Sequence, residues 1–176
     1  MPDGTERFKV FTIEMQEAIR NFTSKGGNML VSGAYIATDI WSKVYQTQTD
    51  TTYRKAAIEF AEKTLGYKFN CSHGSRNGSL QMTSGGALKW TDVNGHKYIH
   101  SAPNPDFYFV EHPNGIAPSL KSAKTVVRYA DTGAPAGIAF KGGNYSTVCY
   151  GFPLETLKKE EDLIAIIQAS LEFMTR

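Results

Sequence analysis

The chain has little cysteine: two residues in 176, Cys71 and Cys149. Two thiols make neither a disulfide framework nor a metal-ligand cluster. A bridge between them is disfavoured. Cys149 stands in an apolar run and reads as a small buried hydrophobe, while Cys71 borders a polar loop. Charge of one sign is also lacking. Nineteen Lys and Arg against 17 Asp and Glu leave a formal charge of +2. No basic stripe forms, since Lys158-Lys159 is answered at once by Glu160-Glu161-Asp162. Nucleic acid and an anionic membrane surface are therefore not expected partners. No apolar run approaches the ~20 residues of a membrane-spanning helix. The start, Met1-Pro2-Asp3-Gly4-Thr5-Glu6-Arg7, lacks the apolar stretch of a signal peptide and says nothing about export. No repeat, low-complexity tract or linker divides the chain, and no cofactor motif stands out.

What is present is ordinary globular composition, 41% hydrophobic and 20% charged, in a length suited to one domain. Phe11, Met15, Ala18, Ile19 and Phe22 recur at helical spacing, which predicts a helix over 13–25 with Thr12 as N-cap. Gly26-Gly27 stops it, and 29–32 is a short strand without polar alternation, as in a sheet covered on both faces. A short helix is expected over 39–45, a polar turn over 46–50, and a stronger helix over 51–65 with Tyr53, Ala57, Phe60, Ala61 and Thr64 on one face. From 67 to 140 the texture changes to a β-rich extension broken by Gly, Asn, Ser and Pro. Strand candidates there are 80–82, 88–90, 97–100, 107–110, 125–130 and 137–140, and Asn94-Gly95 is a hairpin-turn signal. A buried strand over 147–152 and a helix over 160–174 close the chain, the latter with Leu163, Ile166, Ile167, Leu171 and Met174 on its inner face. Strand, turn, helix at both ends is the grammar of an α/β domain, whose ligand sites lie at the carboxyl ends of its strands. Opening on a helix, with only two such strands, the unit is small: either the antiparallel region completes the sheet, or, the favoured expectation, the unit is the C-terminal part of a larger domain whose earlier strands lie upstream.

Several stretches carry a resemblance: Phe8-Lys9-Val10-Phe11-Thr12, Gln16-Glu17-Ala18-Ile19-Arg20, the run from Gly26 to Trp41 (GGNMLVSGAYIATDIW), 110–116, 136–140 and 148–156. Together they resemble the C-terminal part of a class I glutamine amidotransferase-like domain, as found in secreted proteins of gut bacteria labelled xanthan lyases. The resemblance implies a three-layer, flavodoxin-like α/β fold with a partly parallel sheet, carrying the antiparallel β-rich extension, and a secreted, periplasmic or cell-surface setting. It also shows departures. An active enzyme of that class carries a cysteine in a glycine-flanked elbow and a His and Glu after its final strand. Neither cysteine here is so placed. Glu155 matches the glutamate, and no histidine stands beside it. Nucleophile and base are both needed for acyl transfer, so glutaminase chemistry is expected to be lost. The lyase label is no substitute for an argued site.

The candidate pocket is Ser32, Gly33, Tyr35, His73, Arg76 and Glu155, centred where Ser32-Gly33-Ala34-Tyr35 meets Phe152-Pro153-Leu154-Glu155. Ser32 lacks the Gly-x-Ser-x-Gly elbow of a nucleophile, so a structural or ligand-lining turn is the better reading. The loop Ser72-His73-Gly74-Ser75-Arg76-Asn77-Gly78-Ser79 lacks the Lys-Ser/Thr ending of a phosphate loop. Its amides and Arg76 are still suited to a carboxylate, and an acidic oligosaccharide would fit. His96 and His100 on one strand stand ~13 Å apart, too far to share a metal ion. Aromatics are core by default, with Trp41 and Trp90 the expected exceptions. The leading expectation is a non-catalytic structural or ligand-binding module of an exported, carbohydrate- or envelope-associated protein. The alternatives are a lyase or hydrolase on an acidic sugar, with Tyr35, His73 and Arg76 as its groups, and a protein-interaction domain.

Overall fold

The computed structural model describes residues 9–41, 51–84, 86–90, 92–106 and 108–176. The expected continuation of the second helix to 45, the turn over 46–50 and the first residues of the Phe8–Thr12 match lie outside these. The elements are α1 (Ile13–Ser24), β1 (Met29–Ser32), α2 (Thr38–Trp41), α3 (Thr51–Phe60) running into a π-helical turn (Ala61–Leu65), β2 (Tyr67–Cys71), β3 (Ser79–Met82), β4 (His96–Lys97), β5 (Gly115–Pro118), β6 (Ala123–Tyr129), β7 (Pro135–Lys141), β8 (Ser146–Tyr150), a 3₁₀ turn (Leu154–Thr156) and α4 (Glu160–Met174).

Six strands form a mixed sheet in the order β1-β8-β7-β6-β3-β4, and β2 pairs with β5 in a separate antiparallel sheet. Among the described residues only β1 and β8 run parallel, in the register Met29 to Thr147 through Ser32 to Tyr150. The β-rich region therefore continues the sheet: β3, β4, β6 and β7 are four of its six strands. Side chains alternate across β8. Val148 and Tyr150 enter a core that also holds Ile166, Ala169 and Phe173 of α4. Cys149 enters the opposite core with Ile19, Ala57, Phe60 and Ile116. This burial of both faces is why β8 has no polar residue exposed.

The helix ends follow their local chemistry. Thr12 Oγ1 accepts the Met15 N–H at 3.3 Å, and Gly26 at φ +89° closes the far end. The buried faces, however, differ from the expected ones. In α1 the buried residues are Gln16, Ile19 and Thr23, while Met15 and Phe22 are half exposed. Gln16 and Thr23 can enter the core because each donates to a backbone carbonyl, Phe11 O and Ile19 O. In α4, Ser170 and Ala169 face inward and Leu171 faces out. Ser170 Oγ meets the buried Tyr150 hydroxyl at 2.8 Å, so the small residue admits the large ring. Residues 88–90 and 108–110 form no strand, and Phe107 lies outside the described residues. Asn94-Gly95 falls in the long connection between β3 and β4 rather than in a two-residue hairpin.

Candidate functional site at the carboxyl ends of the parallel strands

Where β1 and β8 end, the chain departs through two turns tied to each other. The Gly33 N–H donates to Tyr150 O at 3.1 Å. Between them sits Asn114, fully buried. Its Oδ1 accepts the Ala37 and Thr38 N–H groups at 2.9 and 2.8 Å, and its Nδ2 donates to Thr38 Oγ1 at 2.6 Å. Its own N–H donates to Gly151 O at 2.7 Å, and its carbonyl accepts the Tyr129 hydroxyl at 2.8 Å. One asparagine thus fixes the start of α2, the exit of β8 and the 108–114 segment. Gly151 is required beside it, because a Cβ there would stand 2.0 Å from Asn114 O.

These three segments line a cleft of about 320 Å³: residues 32–35 from the first turn, 108–112 from the preceding coil, and Pro153 with Glu155 from the last turn. Ser32, Gly33, Tyr35 and Glu155 therefore share one space. Tyr35 is 49% exposed and Tyr108 is 61% exposed. Burial first, then the nearby Glu155 carboxylate and Tyr35 hydroxyl, raise the Tyr108 phenol above its ordinary range. Two rings thus stand beside one carboxylate. The sequence signal for residues 108–112 was weak, since the segment is coil and is held at the cleft by long-range hydrogen bonds, Val110 N–H to Ile99 O at 2.8 Å among them, as well as by Asn114.

The charged lining is Glu111, Glu155 and His112, with no Lys or Arg among the described residues. His112 Nε2 lies 3.9 Å from Glu111 Oε2. His73 is not in the lining. It packs edge-to-face on His112 at 4.2 Å between ring centroids, and Ser72 Oγ stands 3.0 Å from its Nδ1. Arg76 is outside the cleft too, which separates it from the Tyr35 it was expected to join. The reason lies in its loop. The Arg76 N–H donates to Asp131 Oδ2 at 2.6 Å and Ser75 Oγ donates to Asp131 Oδ1 at 2.9 Å. Thr132 Oγ1 donates to Gly74 O. The loop does cradle a carboxylate, and it is the chain's own, from the β6–β7 turn.

The other candidates are accounted for by packing. Cys71 and Cys149 are both free, and neither lines the cleft. Burial pushes the Cys149 thiol up to about 12, the reverse of what a nucleophile needs. His96 is buried against Asp162, Nδ1 to Oδ1 3.0 Å, and His100 Nδ1 faces Val110 O at 3.0 Å, so the two histidines serve different partners. Among the described residues no three His, Cys, Asp or Glu side chains gather as a metal site, and no helix is long and apolar enough to cross a membrane. Trp41 packs on Tyr67 and Phe69, and Trp90 packs against the α4-side core; the exposed rings at the site are the two tyrosines. Ser32, His112 and Glu155 share the cleft, but no hydrogen bond joins Ser32 to His112 among the described residues.

No family model matches the chain, and no curated protein matches it. Among solved structures, the exo-β-1,4-mannosidase Op5Man5 from Opitutaceae bacterium strain TAV5 is similar at a TM-score of 0.46 and 9% identity, over 92% of this chain and 21% of that one.

Proposed function

We propose that the chain is an amidotransferase-like α/β domain without glutaminase chemistry, serving as the carbohydrate-binding module of an exported protein. The observation that carries this reading is the cleft itself. It opens at the carboxyl ends of the one parallel strand pair, where open α/β sheets bind ligands, and presents two exposed tyrosine rings beside Glu155. Aromatic faces stack on the apolar faces of sugar rings, and carboxylates accept from hydroxyls. The absence of glutaminase activity is supported by the position of both thiols away from the cleft and by the raised Cys149 pKa.

The test is calorimetric titration with neutral oligosaccharides, on the wild type and on Tyr35→Ala and Tyr108→Ala. Binding to the wild type that weakens at least about tenfold in either variant supports the reading. Binding to no sugar, or binding indifferent to both rings, overturns it. A hydrolase is the second reading, favoured by the common location of Ser32, His112 and Glu155. It requires the Ser32–His112 hydrogen bond to form on substrate binding. Turnover of a sugar ester that disappears in Ser32→Ala would establish it, and no turnover in the wild type would remove it. The lyase reading loses its neutralising cation, since Arg76 lies outside the cleft.

A further inference from the structure

We infer that the cleft selects a sugar bearing a protonated amino group and discriminates against uronic acids, an inference that rests on the carbohydrate-binding reading. Three observations lead to it. First, the charge of the lining has one sign. Glu111 and Glu155 face the space, and among the described residues no Lys or Arg does, His112 being the one basic side chain in the lining. A sugar carboxylate entering here would lose water and meet two like charges without a guanidinium to pair with. Second, the loop that would suit an acidic sugar lies outside the cleft, and two of its donors are committed to the chain's own carboxylate. Ser75 Oγ and the Arg76 N–H hold both oxygens of the Asp131 carboxylate at 2.9 and 2.6 Å. Third, the rings beside the carboxylates suit a cation. Tyr35 and Tyr108 are 49% and 61% exposed, and a ring face attracts an ammonium group, most strongly where a carboxylate stands next to it. An amino sugar offers both parts, a pyranose face to stack and an ammonium to place between ring and carboxylate.

The experiment compares three trisaccharides by calorimetry at about pH 6, where a sugar amine keeps its proton, and at low salt. They are a glucosamine trimer, its N-acetylated counterpart and a galacturonate trimer. The expected order is amine tighter than acetamide by about tenfold, and acetamide tighter than uronate by a similar factor. In Glu155→Gln the preference for the amine falls to about twofold or less, and added salt compresses it in the wild type. Equal affinities for amine and acetamide, or tighter binding of the uronate, would overturn the selectivity while leaving the sugar-binding reading intact. Failure of all three trimers to bind would overturn both. A trilysine peptide binding as tightly as the glucosamine trimer would show a general cation site and overturn the sugar assignment.

Discussion

Asn114 does more for the site than any residue that touches its space. Its amide satisfies two backbone N–H groups at the start of α2, and both would be buried without a partner in Asn114→Ala. Each such orphan costs about 1–3 kcal/mol, so the variant is expected to lose about 3 kcal/mol in urea denaturation. A loss below about 1 kcal/mol would mean that the turn rearranges to satisfy those donors otherwise. Gly151→Ala should cost at least about 2 kcal/mol, because the clash at 2.0 Å is with backbone, which cannot swing aside. Gly143 is a suitable control, since it has a left-handed backbone but open space around it. The Cys149 thiol should be inert: a thiol reagent added to the native protein should leave it unmodified, and denaturant should expose it. Rapid native modification of Cys149 would contradict its placement. At this scale the sequence was readable where local chemistry is strong. That Ser32, Gly33, Tyr35 and Glu155 share one space was legible because they stand on the turns that follow the two parallel strands. Tyr108 and His112 were not, because nothing local distinguishes their coil from any other. Arg76 misled for a physical reason. A loop rich in N–H donors attracts a carboxylate, and sequence does not reveal that Asp131 supplies it.

Elements were legible as far as their periodicity was strong. The two long helices and strands β1, β6, β7 and β8 have clear apolar runs, and they form close to where those runs fall. β2 and β5 were missed. Their burial depends on pairing with each other, with no alternation in Gly115-Ile116-Ala117-Pro118 to announce it. The rotation of α1 and α4 about their axes has a common cause. Gln16, Thr23 and Ser170 are polar residues that become interior once a hydrogen bond is found for them, and hydrophobic spacing assigns them outward. The first turn of α4 offers a test of what anchors it. Asp162 faces His96 of β4 at 3.0 Å, with side chains 10% and 7% exposed. Asp162→Ala leaves the buried His96 Nδ1 without the carboxylate it faces, so it should cost about 1–3 kcal/mol. The Lys63–Glu59 pair at 2.7 Å is shorter but lies in solvent, and Glu59→Ala should leave the denaturation midpoint unchanged. Equal effects of the two substitutions would contradict this ranking of burial above distance.

The described residues hold an aromatic interior that includes four fully buried tyrosines, Tyr67, Tyr98, Tyr129 and Tyr150. Burial raises all four phenols, Tyr98 to about 12, and the Cys149 thiol likewise. A folded pKa above the unfolded one contributes stability that is complete below the unfolded value and lost as pH rises through the folded value. The thiol, ordinarily near 9.0, and the phenols, ordinarily near 10.0, therefore set a window. Stability should be insensitive to these groups below pH 9 and fall steeply towards 12. Absorbance at the phenolate wavelength should show the four fully buried tyrosines ionising together with loss of near-UV circular dichroism. Their ionisation near pH 10 with native dichroism retained would contradict the packing.

The cleft stands at the ends of the two parallel strands, where Asn114 ties the segments behind it together and exposed side chains form its rim. Hydrogen–deuterium exchange with and without a saturating glucosamine trimer tests the cleft as the ligand site most directly. The expected result is slowed exchange at 33–36, 108–112 and 154–156, with the outward face of α4 unchanged. Protection confined to α4 or to the β2–β5 sheet, or no protection at saturation, would contradict it.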